Sequence, residues 1–394
     1  MPIISKAILR RTYVMSALCA GFLYSSATYA QEIFGGWDAE SAISLRGGFE
    51  NVDGASSYLL SIDPEFSLQR QEDDLLVGLS GNASVDKIGA DQFAARSLVL
   101  ESNLGLRLNQ NAQLDFGLNY GVSQPRTTDP DLPDDVKVGG HQQQFGITGG
   151  YTQQFSKTAV QLRGAVGRSQ SAASLLNDDT YQSNADQNAW NYGLGARLSR
   201  ELTPIVSAFV DVQLSRSRYD TGSAILGASR NNWSYEAQIG ATADFDERLR
   251  GDISVGQLRQ TFDDASLAAV QTFTYNANLE WQATQTASVN LSVNTSVSPT
   301  SVAGEAMQIV NVGRVAFNQQ VNSRVQFSVF GELERQRYQS SADQIRTSGA
   351  GFGLTYQANK QLSAFANYSF ALRQEPTTVS RTHKIEAGLR FNRQ

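Results

Sequence analysis

The chain has 394 residues, a formal net charge of -6 at pH 7, 41% hydrophobic residues and a single cysteine. No stretch approaches the roughly 18 consecutive apolar residues of a membrane helix, which excludes a helical inner-membrane protein. The net acidity argues against a nucleic-acid partner.

The N-terminus predicts an export signal. Lys6, Arg10 and Arg11 precede a mostly apolar run over residues 13–24, and small residues ending at Ala30 mark a cleavage site. We therefore expect a signal peptide over 1–30, a periplasmic N-terminal segment over 31–40 and an outer-membrane β-barrel over 41–394. Cys19 follows Leu18, where a lipidation site would have a small residue, and it lies in the segment that is removed. The mature chain then has no cysteine for disulfides or thiolate metal sites.

From residue 43 onward, apolar residues recur at every second position. The first predicted strand contains Gly47 and Gly48 and the second contains Pro64, which makes these two the weakest. The clearest example is the run 271–297, in which two arms of about eleven residues flank a tight turn. Strict alternation indicates strands with one apolar and one polar face, and a tilted membrane strand needs about 9–11 residues. We count eighteen such arms, or sixteen without the first hairpin.

The predicted connections alternate between short and long, which fixes the topology. Short turns lie near Gln71, Gln110, Ser156, Glu201, Asp246, Ala283, Val321 and Asn359. Longer polar loops lie near Val52 and Gly89 and over 127–138, 173–184, 221–230, 263–269, 300–305, 340–343 and 375–378. This rhythm predicts an all-β fold: a transmembrane antiparallel up-and-down barrel with short periplasmic turns, longer outer loops and both termini in the periplasm.

Aromatic residues of outward parity cluster near both strand ends. One group is Trp190, Trp233, Phe273 and Phe327, and a second, mostly on the turn side, is Phe245, Trp281, Phe317, Tyr356 and Phe391. Girdles of this kind are typical of the two membrane interfaces. A soluble β-sandwich would alternate as well, but it would not require two girdles or a long and short rhythm.

The inward face is polar and carries charges of both signs. They are Glu101, Arg107, Asp115, Arg163, Arg197, Asp211, Glu236, Asp244, Glu280, Arg314, Glu332, Glu334, Glu386 and Arg390. One interpretation is that these charges pair across the lumen and satisfy one another. The other is a hydrated channel, since barrels of this size enclose an aqueous lumen. Phe209, Phe330 and Phe365 have inward parity and could line a path for sugar rings.

Candidates for catalysis and metal binding are few. The two histidines, His141 and His383, have no triad or metal motif around them. The acidic loop Thr127 to Asp135 offers oxygen ligands for divalent cations, but it has no calcium-loop spacing and reads more simply as a solvated loop. We therefore predict no enzyme, no cofactor and no catalytic, cofactor-binding or metal-binding residue.

Two runs carry a family resemblance. The run VGQLRQTFDDASLAAVQTFTYNANLEWQATQTASVNLSV contains Phe262-Asp263-Asp264 and Trp281, and the later run from Arg337 contains Gly349, Gly351, Gly353, Tyr356 and Tyr368. Over roughly the last two thirds of the chain, these runs resemble the putative β-barrel porins of bacterial exopolysaccharide loci. The resemblance implies an outer-membrane barrel associated with secretion of a capsule or exopolysaccharide, and it implies no catalytic residue.

Two functions therefore remain open. The first is a porin-like channel for export or passage of a polysaccharide or another hydrophilic solute. The second is a plugged structural barrel that anchors a cell-envelope or surface-polysaccharide complex. The expected partners are outer-membrane lipid, a polysaccharide or small hydrophilic solute, and polysaccharide-export machinery. The expected location is the outer membrane of a Gram-negative bacterium.

Overall fold

A computed structural model describes residues 36–89, 93–126, 135–223, 226–245, 248–300, 304–339 and 341–393. The predicted signal peptide and all but Asp135 of the acidic loop lie outside these residues. None of the described residues belongs to a helix long and apolar enough to cross a bilayer.

Eighteen long strands form the barrel wall. They are β1 (Asp38–Val52), β2 (Ala55–Glu72), β3 (Leu75–Ile88), β4 (Ala94–Asn109), β5 (Ala112–Ser123), β7 (Gln142–Phe155), β8 (Thr158–Ser171), β11 (Ala189–Thr203), β12 (Val206–Tyr219), β13 (Asn232–Phe245), β14 (Leu249–Phe262), β15 (Val270–Thr284), β16 (Ala287–Pro299), β17 (Met307–Gln320), β18 (Val325–Tyr338), β19 (Gln344–Gln357), β20 (Leu362–Gln374) and β21 (Val379–Arg393). The remaining described elements are the loop strands β6 (Val136–Val138), β9 (Ser174–Leu176) and β10 (Tyr181–Gln182) and the one-turn 3₁₀ helix η1 (Ala185–Gln187).

The eighteen strands close into one antiparallel sheet. Each strand pairs with its neighbours along the chain, and the last strand, β21, pairs with β1 from Ser41↔Arg393 to Val52↔Thr382. The prediction of eighteen strands is confirmed, and the alternative of sixteen is wrong because β1 and β2 both belong to the wall. Pro64 pairs with Ile43 of β1, while the ladder to β3 skips it. Proline has no N–H to donate, so it interrupts the ladder on one side only.

The outward face is apolar, as the alternation predicts. Leu194, Ile239 and Leu333 expose more than 60% of their surface there, a cost in water that a lipid environment removes. Aromatic residues lie near both rims. Phe327, which the sequence placed with the first girdle, lies near the start of β18 opposite Leu354 and so belongs to the turn-side girdle.

The two ends of the barrel have different connections. We call the end with the short turns the turn end and the other the loop end, and both termini of the barrel lie at the turn end. The expected long loop near Val52 is wrong: β1 and β2 are joined by the two-residue turn Asp53-Gly54, with φ of 50° and 92°. Positive φ at both positions fits a tight turn of type I′, which suits the twist of a hairpin.

Most of the longer loops contact one another. The loop strands β6, β9 and β10 form a small sheet between the β5–β7 and β8–β11 loops, and Lys137 pairs with Asp179 at 2.6 Å. Arg230, nearly buried, donates to the carbonyls of Asp186 and Thr300 at 3.2 Å each. It thereby connects the β12–β13 loop to the β8–β11 loop and to the end of β16. The β5–β7, β8–β11 and β12–β13 loops and the end of β16 are therefore connected, and we call them together the loop cluster.

The wall has a seam between β15 and β16. Their ladder stops at Ala277↔Val293, although β14–β15 continues to Val270 and β16–β17 continues to Met307. Val270 has inward parity, yet it packs against Met307 and Ile309, which have outward parity. The loop end of β16 and β17 therefore lies inside β15 and covers its inner face. Ile309, predicted to face outward, is buried for this reason.

Candidate channel lumen

The inner face of the wall encloses a cavity of about 720 Å³ between β4 and β15. Five of the predicted inward charges line it, and so does Asp252, which the sequence prediction omitted although it alternates with Ile253 on the same strand. The charged lining residues are Asp115, Arg163, Arg197, Asp211, Glu236 and Asp252. Neutral polar side chains such as Gln213, Gln238 and Ser254 complete the wall. The cavity thus carries four carboxylates and two guanidinium groups.

Arg163 and Asp211 form an ion pair in the cavity. Arg163 Nη2 donates to both carboxylate oxygens of Asp211, at 2.7 and 2.6 Å, from β8 to β12. The intervening strand β11 presents Gly195 opposite Arg163, and a Cβ there would lie 3.2 Å from Arg163 Nε. The missing side chain lets the guanidinium cross one strand. Both hydrogen bonds come from one nitrogen, and because both groups are charged they are stronger than neutral hydrogen bonds.

Arg197 lies over the ring of Phe209. Its guanidinium carbon is 3.4 Å from the ring centroid, and its Nη2 donates to Thr242 at 3.0 Å. Phe209 is almost fully buried, and a Cβ at Gly240 on the next strand would come within 2.4 Å of the ring. The ring thus fills the space over a glycine and supports a cation, an arrangement that a cation–π contact stabilises. Its face is not free for a sugar.

The other two aromatic candidates also pack into the wall. Phe330 lies under Arg314, at 4.2 Å from the guanidinium carbon to the ring centroid, and against Gly351. Phe365 lies against Gly388 on β21. Of the three predicted sugar-track residues, only Phe209 lines the cavity. They fill space over glycines of neighbouring strands and do not form a continuous track.

The inward charges that form ion pairs do so along the wall and not across the lumen. Arg390 donates to both oxygens of Glu65 at 2.9 and 2.8 Å, and these residues lie two strands apart. Arg314 pairs with Glu332 on the adjacent strand at 2.9 Å. Asp244 pairs with Arg250 at 3.3 Å across a hairpin. The expectation that opposite walls neutralise one another is therefore wrong for these pairs, and they leave the centre of the lumen uncrossed.

One buried ion pair ties the loop cluster to the inner wall. The side chain of Asp86, near the loop end of β3, has no exposed surface, and Arg126 of the β5–β7 loop donates to it from Nε at 3.0 Å. Ser84 also donates to Asp86, at 2.9 Å. The segment after β5 is thus held next to the loop end of β3, with β4 between the two strands in the wall. No sequence motif predicts this contact, because the partners are forty residues apart.

The two histidines do not form a site together. His141 lies just before β7, where burial, and then the positive charge of Arg96, lower its pKa. His383 lies on β21 and accepts or donates a hydrogen bond with the Tyr368 hydroxyl at 3.0 Å, beside the ring of Phe370. In the part of the chain that the structure describes, no group of three or more acidic, histidine or cysteine side chains is placed to hold a metal ion.

Comparisons with known proteins give one family match and several similar solved structures. Residues 35–393 match the family described as "Putative beta-barrel porin 2". No curated protein sequence matches. Among solved structures, the chain is similar to the FrpB iron transporter from Neisseria meningitidis (F5-1 variant, apoprotein form), with 11% identity, a TM-score of 0.49 and coverage of 88% of this chain and 63% of that chain. It is also similar to the copper transporter OprC, with 10% identity, a TM-score of 0.48 and coverage of 91% of this chain and 82% of that chain. A third similar structure is Pseudomonas aeruginosa OccK5 (OpdH), with 12% identity, a TM-score of 0.46 and coverage of 91% of this chain and 99% of that chain. The chain spans less than two thirds of the FrpB structure.

Proposed function

This chain belongs to the putative beta-barrel porin 2 family, and from that premise we propose that it is a diffusion channel for hydrophilic solutes in a Gram-negative outer membrane. The observation that carries the proposal is the polar, charged cavity inside an eighteen-stranded wall. Barrels of about this size enclose an aqueous lumen. A wall of amides, hydroxyls and paired charges suits neutral polar solutes, because it offers hydrogen bonds of both kinds.

The lining charges favour a weak preference for cations. One carboxylate of the cavity, Asp211, is neutralised by Arg163, whereas Glu236 and Asp252 form no salt bridge with the described residues. Arg197, on its phenylalanine support, offsets part of this negative charge. Rings of fixed charge set ion selectivity in channels, so the balance of this lining should decide the sign.

Planar-bilayer recordings of the purified protein test the proposal. We expect ion conductance and a reversal potential in a KCl gradient that indicates weak cation selectivity. The Glu236→Gln/Asp252→Asn variant should shift that potential toward the anion side. Glu72→Gln is the matched control, because Glu72 has outward parity at the turn end and should leave the potential unchanged. Equal potentials in all three proteins would contradict the assignment of the cavity as the ion path.

The size and chemistry of the solute form a finer proposal. The resemblance to exopolysaccharide-locus barrels supports a polysaccharide, which would block the current when added as an oligosaccharide. The loop cluster, together with the loop ends of β16 and β17 on the inner face of β15, favours short oligosaccharides or single sugars over a bulky polymer. Liposome swelling with sugars of increasing length separates these cases. Swelling that stops at small sugars would exclude a polymer conduit.

The alternative is a plugged barrel that anchors an envelope complex. The connected loop cluster favours it, because Arg126 and Arg230 hold segments at the loop end together and to the wall. A protein that inserts, resists denaturation as a barrel and shows no conductance would support this function and defeat the channel.

Sidedness completes the proposal. With both barrel termini at the turn end, we place the turn end in the periplasm and the loop end outside. A tag inserted beside the exposed Asp178 should then be labelled on intact cells, whereas a C-terminal tag should be labelled only after lysis. Labelling of the C-terminal tag on intact cells would invert the orientation.

A further inference from the structure

Charge on the outward face of the wall is concentrated at the loop end. Within three residues of that end, ten described strand residues of outward parity are basic: Lys87, Arg96, Arg168, Arg216, Arg218, Arg259, Arg335, Arg337, Arg346 and Arg381. We call them the basic belt. No described strand residue of outward parity at the same end is acidic. At the turn end, the outward charges are Arg70, Arg200, Arg393 and the acidic Glu72.

Ladder pairing places the belt on the same face as the outer aromatic residues. Arg168 and Arg218 both lie directly opposite Trp190, and Arg259 lies opposite Tyr235. Directly opposed residues of an antiparallel pair project from the same face of the sheet. Trp190 and Tyr235 are 40% and 50% exposed on the outside of the barrel. The belt therefore faces the surrounding lipid and not the lumen.

Most of the belt forms no salt bridge with the described residues, although Asp53 lies beside Arg381 and Asp263 lies near Arg218 as well as Arg216. Two members form salt bridges there, Arg168 with Asp220 and Arg216 with Asp263. Arg218 and Arg259 are exposed and form none with the described residues. The belt thus carries an excess of positive charge at one level of the wall, which favours an anionic ligand.

One pair of the belt costs stability without such a ligand. Arg335 and Arg346 are exposed and lie directly opposite each other in the β18–β19 ladder. Like charges in this position destabilise a sheet. Arg335 donates to Gln344 at 2.9 Å, and no carboxylate of the described residues pairs with either arginine. An anion between the two guanidinium groups would turn the repulsion into binding.

We propose that the basic belt binds the phosphate groups of an anionic glycolipid in the outer leaflet. Arginine binds phosphate in a forked, two-point geometry. Below the belt, the same face presents exposed apolar side chains, including Leu333 under Arg335 and Val255 under Arg259. A ligand with phosphates at the level of the arginines and acyl chains along the wall matches both layers. A soluble acidic peptide would leave the apolar layer uncovered.

The assignment of the basic belt to the outer leaflet rests on the orientation given in the proposed function. The binding of phosphate groups to the belt does not depend on that orientation. The phosphorylated glycolipid of a Gram-negative outer membrane lies in its outer leaflet, where that orientation places the belt. Binding is measured on the refolded protein in detergent, so failure of the channel or of the orientation would leave its result unaffected.

The experiment titrates the refolded full barrel, in zwitterionic detergent micelles, with diphosphoryl lipid A. Tryptophan fluorescence reports binding, because Trp190 lies opposite Arg218. The wild-type protein should bind, and the affinity should fall with added salt. Removing four belt charges should weaken binding at least about tenfold, given the contribution of each basic residue near an anionic membrane surface. The belt variant is Arg218→Gln, Arg259→Gln, Arg335→Gln and Arg346→Gln.

A matched control removes four basic residues at or near the turn end. It combines Lys157→Gln, Arg200→Gln, Arg248→Gln and Arg324→Gln. The control should bind lipid A as the wild type does. Lipid A without its phosphates should bind weakly to both the wild type and the control. Equal loss in the two variants, no loss in the belt variant, or equal affinity for the dephosphorylated lipid would each overturn the proposal. Heat-dependent gel mobility confirms that every variant folds.

A single substitution separates lipid binding from a structural role. Arg335→Glu replaces the like-charge pair with Arg346 by an opposite-charge pair. Without lipid A, this variant should resist urea better than the wild type, while its affinity for lipid A should fall. Loss of stability together with unchanged lipid binding would show that Arg335 acts only within the wall.

Discussion

The turn end and the loop end of this barrel are built from the same strands but are held together differently. At the turn end, short connections join adjacent strands, and ion pairs such as Arg70 with Glu72 are local and exposed. At the loop end, Arg126 and Arg230 connect segments far apart in the chain, and one of the buried acceptors, Asp86, belongs to the wall.

The difference shows where specificity resides. The turn end needs only that each hairpin closes, which local sequence decides. The loop end has three further features: the loop cluster, the β15–β16 seam and the basic belt. Each depends on neighbours that only the closed barrel brings together. In the proposed channel, access to the lumen is therefore set at the loop end.

The largest effect should come from Arg126→Ala at the loop end. It leaves the fully buried carboxylate of Asp86 with the Ser84 hydroxyl as a donor and without its cation. Breaking a buried pair by removing one partner costs about 3–5 kcal/mol. Urea unfolding in micelles measures the free energy of unfolding.

The corresponding change at the turn end, Arg70→Ala, should cost no more than about 1 kcal/mol, because its pair with Glu72 is exposed. Adding Asp86→Asn to Arg126→Ala should recover part of the loss, since an amide can be buried at less cost than an unpaired charge. Equal costs at the two ends would remove the contrast between them.

The next largest effect tests the wall that both ends share. Leu291, in mid-strand of β16, faces outward with 37% of its surface exposed, and the neighbouring Asn290 has inward parity. Leu291→Arg should cost about 2–4 kcal/mol in a lipid refold, and Asn290→Arg much less. Similar costs for both substitutions would show that the two faces of β16 are wrongly assigned.

The seam predicts that two outward residues of the same strand, β17, differ in their accessibility. Ile309 and Val315 on β17 share outward parity, but Ile309 is buried in the seam and Val315 is 47% exposed. In a chain produced from residue 31 onward, which contains no cysteine, Ile309→Cys should react with a lipid-soluble maleimide at least about tenfold more slowly than Val315→Cys. A local opening free energy of about 1.4 kcal/mol suffices for that factor. Equal rates would mean that β16 and β17 follow the wall to its rim.

The smallest effect concerns exposed pairs of the loop end. A hydrogen bond from Arg168 lowers the pKa of Asp220. Because the folded pKa lies below the unfolded value of about 3.9, the stabilisation is fully present above that value and disappears as the pH falls through the folded pKa. Asp220→Asn should therefore cost less than about 1 kcal/mol at pH 7 and nothing at the acid limit. A cost that persists in acid would assign Asp220 a role other than ion pairing.

The sequence-based predictions of some features were wrong, for identifiable reasons. The first connection reads as a polar loop near Val52, but Asp53-Gly54 closes it in two residues, because both adopt positive φ. Phe209 reads as a free inward ring, but the glycine beside it lies on the next strand and Arg197 covers its face. Ile309 has the right parity for lipid and is buried by the seam. In each case the outcome depends on a backbone conformation or a neighbouring residue about which the alternation of apolar and polar residues carries no information.

The sequence by itself determined the number of strands, the two faces of nearly every strand and, after the first hairpin, the alternation of turns and loops. These follow from the pleat, because successive side chains point to opposite faces and one face must be apolar. Tertiary structure alone decided which charges meet, where β15 and β16 separate and which loops cover the lumen. Those contacts join residues distant in the chain, and they depend on the curvature and register of the closed barrel, which no local pattern encodes.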